Sequence, residues 1–148
     1  MNGISIFTLI IMFIILIPNI FYAFKHKSSK NLCTNKFLAL LEQIGRYGCL
    51  LLMFVTISPS ELGFSSSELF AIWFISMGIL LLLYWIFWFL YYRKPKLSFA
   101  LVLALIPCII FLATALVLHY WPLLFFALLF SFSHPYVTYQ NNKKVELP

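Results

Sequence analysis

Apolar runs of bilayer length recur along this chain, and only short polar segments separate them. A hydrocarbon core about 30 Å thick takes roughly 20 helical residues to cross. Ile4 to Ala23, Phe37 to Ile57, Leu69 to Tyr92 and Leu97 to Leu118 each meet that length. A further run begins at Pro122 but stays strongly apolar only to Phe132, because Ser131, Ser133, His134 and Pro135 break it up. Extended to Tyr139, it just suffices for a crossing.

The expected fold class is therefore all-α: a polytopic transmembrane helix bundle of five helices, about 4–23, 37–57, 69–92, 97–118 and 122–139. They form a single membrane domain over residues 1–148. The competing architecture has four crossings, with an interfacial or re-entrant C-terminal segment. Composition excludes a soluble fold: 64% of residues are hydrophobic, 9% are charged, and the mean hydropathy is +1.01. No soluble core of this size buries so much apolar surface, so lipid must be the solvent.

The formal net charge of +6 raises the question of a nucleic-acid partner. The bases instead sit in short clusters between apolar runs, where they set topology and meet anionic lipid headgroups, so no nucleic-acid partner is expected. Lys25, Lys27, Lys30 and Lys36 fall in one loop; Arg93, Lys94 and Lys96 in another; Lys143 and Lys144 in the tail. The loop from Ser58 to Glu68 holds Glu61 and Glu68 and no base. Five crossings put every Lys, and Arg93, on one side. The positive-inside rule then predicts an amino terminus outside and a carboxyl terminus in the cytoplasm. The first run does not read as a cleaved signal peptide: no base precedes it, it is too long, and no A-x-A site follows.

Local signals refine the boundaries. Pro18 removes a backbone hydrogen bond within the first helix and is expected to kink it. Ser67 is the expected cap of the third helix. Trp88, Tyr91 and Tyr92 suit an aromatic belt at the inner interface. Pro107 interrupts the fourth helix, and Pro122 suits the first turn of the fifth. His119 and His134 belong to opposite interfaces, His134 at a helix end.

The second run carries the sharpest functional signal. FLALLEQIGRYGCLLLMFVTI holds Glu42, Gln43 and Arg46, and no other apolar run has an acid or a fixed base well inside it. Four residues apart, Glu42 and Arg46 share one helix face and can pair. Intramembrane charge costs several kcal/mol, which makes the pair a candidate site. At about 1.5 Å per residue, Asn19, Glu42, Gln43, Arg46, Tyr84 and His134 all fall in the inner leaflet, as expected if they face one interior. The alternative is structural: Arg46 neutralises Glu42, and Asn19 and Gln43 complete hydrogen bonds that lipid cannot supply. Gly45, Gly48 and Cys49 lie beside the pair; Gly45 and Cys49 make a small-xxx-small face for close helix packing or, alternatively, self-association.

Chemistry of other kinds has little support. Cys33, Cys49 and Cys108 match no metal or CxxC spacing. Neither His119 nor His134 has a ligand partner on its own helix. Ser131 and Ser133 are expected to bond back to their own helix. No catalytic residue, metal site or cofactor motif is apparent.

The fragments IPNIFYAFKHK (Ile17 to Lys27) and LEQIGRYGC (Leu41 to Cys49) resemble a family of small bacterial integral membrane proteins with an IPN…EQIGR(Y/F)G pattern in their first two helices. The match covers about a fifth of the chain. It implies a multi-pass protein of the bacterial cytoplasmic membrane and transfers no substrate or catalytic role. Three functions remain in view. One is transport or permeation of a small solute, through an oligomeric bundle because five helices are few for alternating access. The second is a non-catalytic accessory or immunity-type protein acting on a membrane partner through helix contacts. An enzyme acting on lipid is the weakest, since no nucleophile–base pair can be read. The partners in view are thus membrane lipid and a homo-oligomer or other membrane protein.

Overall fold

The structure, a computed structural model, describes residues 3–25, 33, 35–54 and 66–143. Residues 55–57, most of both polar loops and Lys144 lie outside the described residues. Five helices follow in order: α1 (Gly3–Lys25), α2 (Lys36–Phe54), α3 (Ser67–Arg93), α4 (Leu97–Val117) and α5 (Trp121–Asn142). Among the described residues, α2, α3 and α4 are long and apolar enough to cross a membrane. Their outward faces are rich in large apolar side chains such as Leu51, Ile72, Leu82 and Phe89, as lipid contact requires.

The helices close into a ring. α5 packs against α2 and α4, α4 against α3, and α1 completes the circle between α2 and α3. Two contacts show which helix ends lie together. Lys25, at the end of α1, stands 5.6 Å from the ring centre of Tyr92. Tyr91, at the end of α3, donates to Asn142 at the end of α5 (2.8 Å). Lys36 begins α2, Lys94 caps the end of α3 and Lys96 the start of α4, so the bases gather at one end of the bundle.

The tightest packing lies between α2 and α5. A Cβ added to Gly45 would stand 2.7 Å from the backbone nitrogen of Phe130. One added to Gly48 would run into the Phe126 ring. Cys49 is fully buried on the same face. The small-residue face is therefore occupied by α5 of the same chain, in the close-packing role.

Several local readings need correction. Ser66, not Ser67, caps α3: its hydroxyl accepts from the Leu69 amide (3.2 Å) while Ser67 is already helical. α5 does not end at Tyr139 but runs on to Asn142, 22 residues in all and continuous through Ser131–Pro135. Consequently His134 lies within a helix and not at its end. Trp88 and Tyr91 do not form an outward belt but are 7% and 8% exposed and face the interior. They pack with Tyr22 and Tyr92, the Tyr22–Trp88 centroids lying 5.3 Å apart. Outward positions on α3 go to Trp85 and Phe89 instead.

The turn between α4 and α5 shows why so short a connection suffices. Tyr120 donates to Ala115 (2.8 Å) and His119 to Leu116 (3.2 Å), the paired bonds of a Schellman cap. That cap needs a left-handed residue, and His119 takes it with φ 50°. Pro122 then enters the first turn of α5 without losing a needed donor.

Candidate functional site

α2 carries the centre of the site. Glu42 is 1% exposed, and three donors satisfy its carboxylate. Oε1 accepts from Arg46 Nη2, one turn along the same helix. It also accepts from His134 Nδ1 of α5 at 3.0 Å. Oε2 accepts from Gln43 Nε2 at 3.1 Å. An ionised carboxylate is acceptor-only, so the His134 bond places that ring's proton on Nδ1 and leaves Nε2 as its basic atom. The His134 ring stacks on Phe130, with centroids 4.4 Å apart and an interplanar angle of 18°. Phe130 is the residue that Gly45 packs against, so the glycine that lets α5 approach α2 also brings His134 to Glu42.

Arg46 differs from its partner in exposure. Its side chain is 40% exposed, against 1% for Glu42. It lines a cavity of about 440 Å³ to which all five helices contribute. α1 supplies Ile15, Leu16, Asn19 and Tyr22; α2 supplies Arg46 and Leu50; α3 supplies Tyr84, Trp88 and Tyr91. α4 adds an apolar wall of Ala100, Leu103, Ala104, Pro107 and Phe111. α5 adds Phe130, His134, Thr138, Asn141 and Asn142. The lining runs from Tyr91, Asn141 and Asn142 at the basic end to Ile15 and Phe130 near the middle of their helices. The volume suits a small organic molecule.

Asn19 and Tyr84 form a second polar pair on this wall. Asn19 Nδ2 donates to the Tyr84 hydroxyl at 2.7 Å and to the Ile15 carbonyl at 2.9 Å. This bond ties α1 to α3. Tyr84 itself is 1% exposed. The indole N–H of Trp88, one turn further along α3, is buried with no hydrogen-bond partner.

Of the residues singled out in the sequence, the structure thus brings Glu42, Gln43, Arg46 and His134 into one hydrogen-bonded cluster. It places Asn19 and Tyr84 on the same cavity wall, and Gly45, Gly48 and Cys49 behind it. Sequence reasoning missed Tyr22, Trp88, Tyr91, Thr138, Asn141 and Asn142. A signal for α3 was present: Trp73, Met77, Tyr84, Trp88 and Tyr91 recur at helical spacing and are its buried positions. Asn141 and Asn142 were assigned to the tail because α5 was ended at Tyr139. A smaller polar contact in the opposite half was also missed, where Trp73 Nε1 donates to Thr114 Oγ1 at 3.4 Å. Ser133 bonds back to Leu129 at 2.7 Å as expected, whereas Ser131 Oγ is buried without a partner.

Among the described residues no group of three or more His, Cys, Asp or Glu side chains is placed to hold a metal. Cys49 and Cys108 are buried free thiols. In comparisons with protein-family models, curated proteins and solved structures, nothing matches this chain.

Proposed function

We propose that this is a small multi-pass protein of the bacterial cytoplasmic membrane that binds a small solute in the five-helix cavity and moves it across the bilayer. The observation that carries this reading is the exposure difference within the ion pair. A purely structural pair is expected to be dry on both sides. Here Glu42 is sealed, while Arg46 turns its guanidinium towards a cavity large enough for a solute. The bacterial assignment rests on the resemblance carried by Ile17 to Lys27 and Leu41 to Cys49.

All five helices cross in this reading, with the basic end in the cytoplasm and the amino terminus outside, following the Lys distribution. Among the described residues, α1 counts as a shorter apolar helix over Phe7–Tyr22, and α5 does not qualify by length and composition alone. α5 owes its lower hydropathy to the polar residues it gives to the cavity. The site is complete within one chain, so oligomerisation would add copies of it and not build it. The accessory reading asks for a helix face open to a partner, and the face that prompted it is filled by α5.

Water access to the cavity is the test. Thr138 lines the wall near the basic end. With Cys33 replaced by Ser, Thr138→Cys should react with a membrane-impermeant thiol reagent in inside-out vesicles. Cys49 and Cys108, both buried, provide the unreactive background. A Thr138→Cys protein that stays unlabelled from either side would make the cavity dry and the transport reading untenable.

A further inference from the structure

The chemistry of the cavity wall narrows the class of solute. Arg46 carries the only fixed charge among the lining residues. Glu42 is not part of the wall, and both its oxygens already accept hydrogen bonds. A cationic solute would therefore find no free acceptor charge, whereas an anion would find a guanidinium with donors to spare. Around that charge the wall is apolar and aromatic, including Phe111, Phe130 and Trp88. Trp88 brings an indole ring and no charge to this wall.

Charge balance supplies the second half of the argument. In the empty site Glu42 and Arg46 cancel, and a His134 ring protonated on Nδ1 alone is neutral. An anion entering alone would leave one unbalanced negative charge inside the membrane, at a cost of several kcal/mol. His134 is the residue able to remove that imbalance. It lines the cavity, and its Nε2 is free to take a proton while Nδ1–H stays on Glu42. The groups around it fit that assignment. α2 presents Glu42 and Arg46; α4 carries one titratable side chain, Cys108, within electrostatic reach of Glu42. α3 and α1 contribute only the phenols Tyr84, Tyr91 and Tyr22 to the cavity.

Resting on the reading of the cavity as a solute site, we infer that it takes a small apolar or aromatic monocarboxylate together with one proton, the anion on Arg46 and the proton on His134 Nε2. The proton comes from the aqueous phase, and the loaded cluster of Glu42, Arg46, His134 and anion is electroneutral. Either partner alone leaves a net charge in the bundle, so the two bind as a unit. Coupled movement of acid and proton in one direction follows.

Benzoate, its neutral analogue benzamide and its cationic analogue benzylamine test this on the wild-type protein in weakly buffered detergent solution. Benzoate should quench tryptophan fluorescence, raise Tm and draw up close to one proton per molecule bound, and its affinity should fall by up to tenfold per pH unit once His134 is neutral. Benzamide and benzylamine should do none of these. His134→Gln keeps a donor for Glu42 but has no basic nitrogen; it should bind benzoate more weakly and take up no proton. Equal responses to benzoate and benzamide, benzoate binding without proton uptake, or no response to any of the three would overturn the inference. Thiol labelling of Thr138→Cys in the same preparation separates the two levels. A labelled cavity that ignores benzoate sinks the anion–proton assignment alone, whereas an unlabelled one removes the solute site on which it rests.

Discussion

Glu42 depends on its neighbours more than Arg46 does, and the difference comes from burial. Removing Arg46 leaves a carboxylate that is 1% exposed with only His134 and Gln43 as donors. Removing Glu42 leaves a guanidinium that is 40% exposed and able to meet cavity water. Arg46→Gln should therefore lower stability by about 3 kcal/mol, in the range for breaking a buried pair, and Glu42→Gln by clearly less. The double change leaves no orphan charge and should recover part of the Arg46→Gln loss. Thermal unfolding of the four proteins in detergent measures the cycle. Strictly additive losses would show that the two side chains do not share an environment.

At the scale of elements, two glycines in similar apolar helices have opposite surroundings. Gly45 stands against the backbone of α5, whereas nothing lies within 4 Å of a Cβ at Gly78 on α3. Gly45→Ala should force α2 and α5 apart and cost about 1–3 kcal/mol. It should also disturb the Glu42–His134 bond, which the same approach positions. Gly78→Ala should be neutral or stabilising by up to about 1 kcal/mol, since only helix propensity changes. Equal Tm shifts for the two variants would contradict the α2–α5 packing. The α4–α5 turn offers a third case. His119 holds a left-handed conformation that costs an L-residue about 1 kcal/mol and glycine little. His119→Gly should raise Tm by an amount of that order, with no effect on the cavity. A lower Tm would mean that the imidazole makes a stabilising contact at this turn.

For the whole molecule, the ring of five helices requires α1, α3 and α5 to run one way and α2 and α4 the other. The basic end then holds Lys25, Lys36, Lys94, Lys96 and Lys143 together. Reporter fusions after Cys33, Ser66, Lys96 and Lys143 should read inside, outside, inside and inside. An outside signal after Lys143 alone would require α5 to turn back within the membrane, and the cavity would lose the wall that carries His134. The weakest part of the ring is α1, which packs less extensively on its neighbours than α5 does. The Asn19–Tyr84 bond adds a polar tie to the ring contacts that Phe7 and Tyr22 make with α3.

Helix number and the clustering of bases were legible in the chain itself, because lipid imposes one length and one charge bias on any segment crossing it. The common level of Asn19, Glu42, Arg46, Tyr84 and His134 along the bundle was legible too, since rise per residue is constant in a helix. What no single run contains is the order of helices around the ring. That order was decided by tertiary packing: Gly45 and Gly48 let α5 settle on α2, and this choice brought His134 to Glu42 across 92 positions of sequence. It also turned Trp88 and Tyr91 inward, because α3 faces a cavity at that level and not lipid. The continuity of α5 through Ser131–Pro135 has the same origin. Its polar residues weaken it as an isolated apolar run, and they are accommodated where α2 and α4 pack against it.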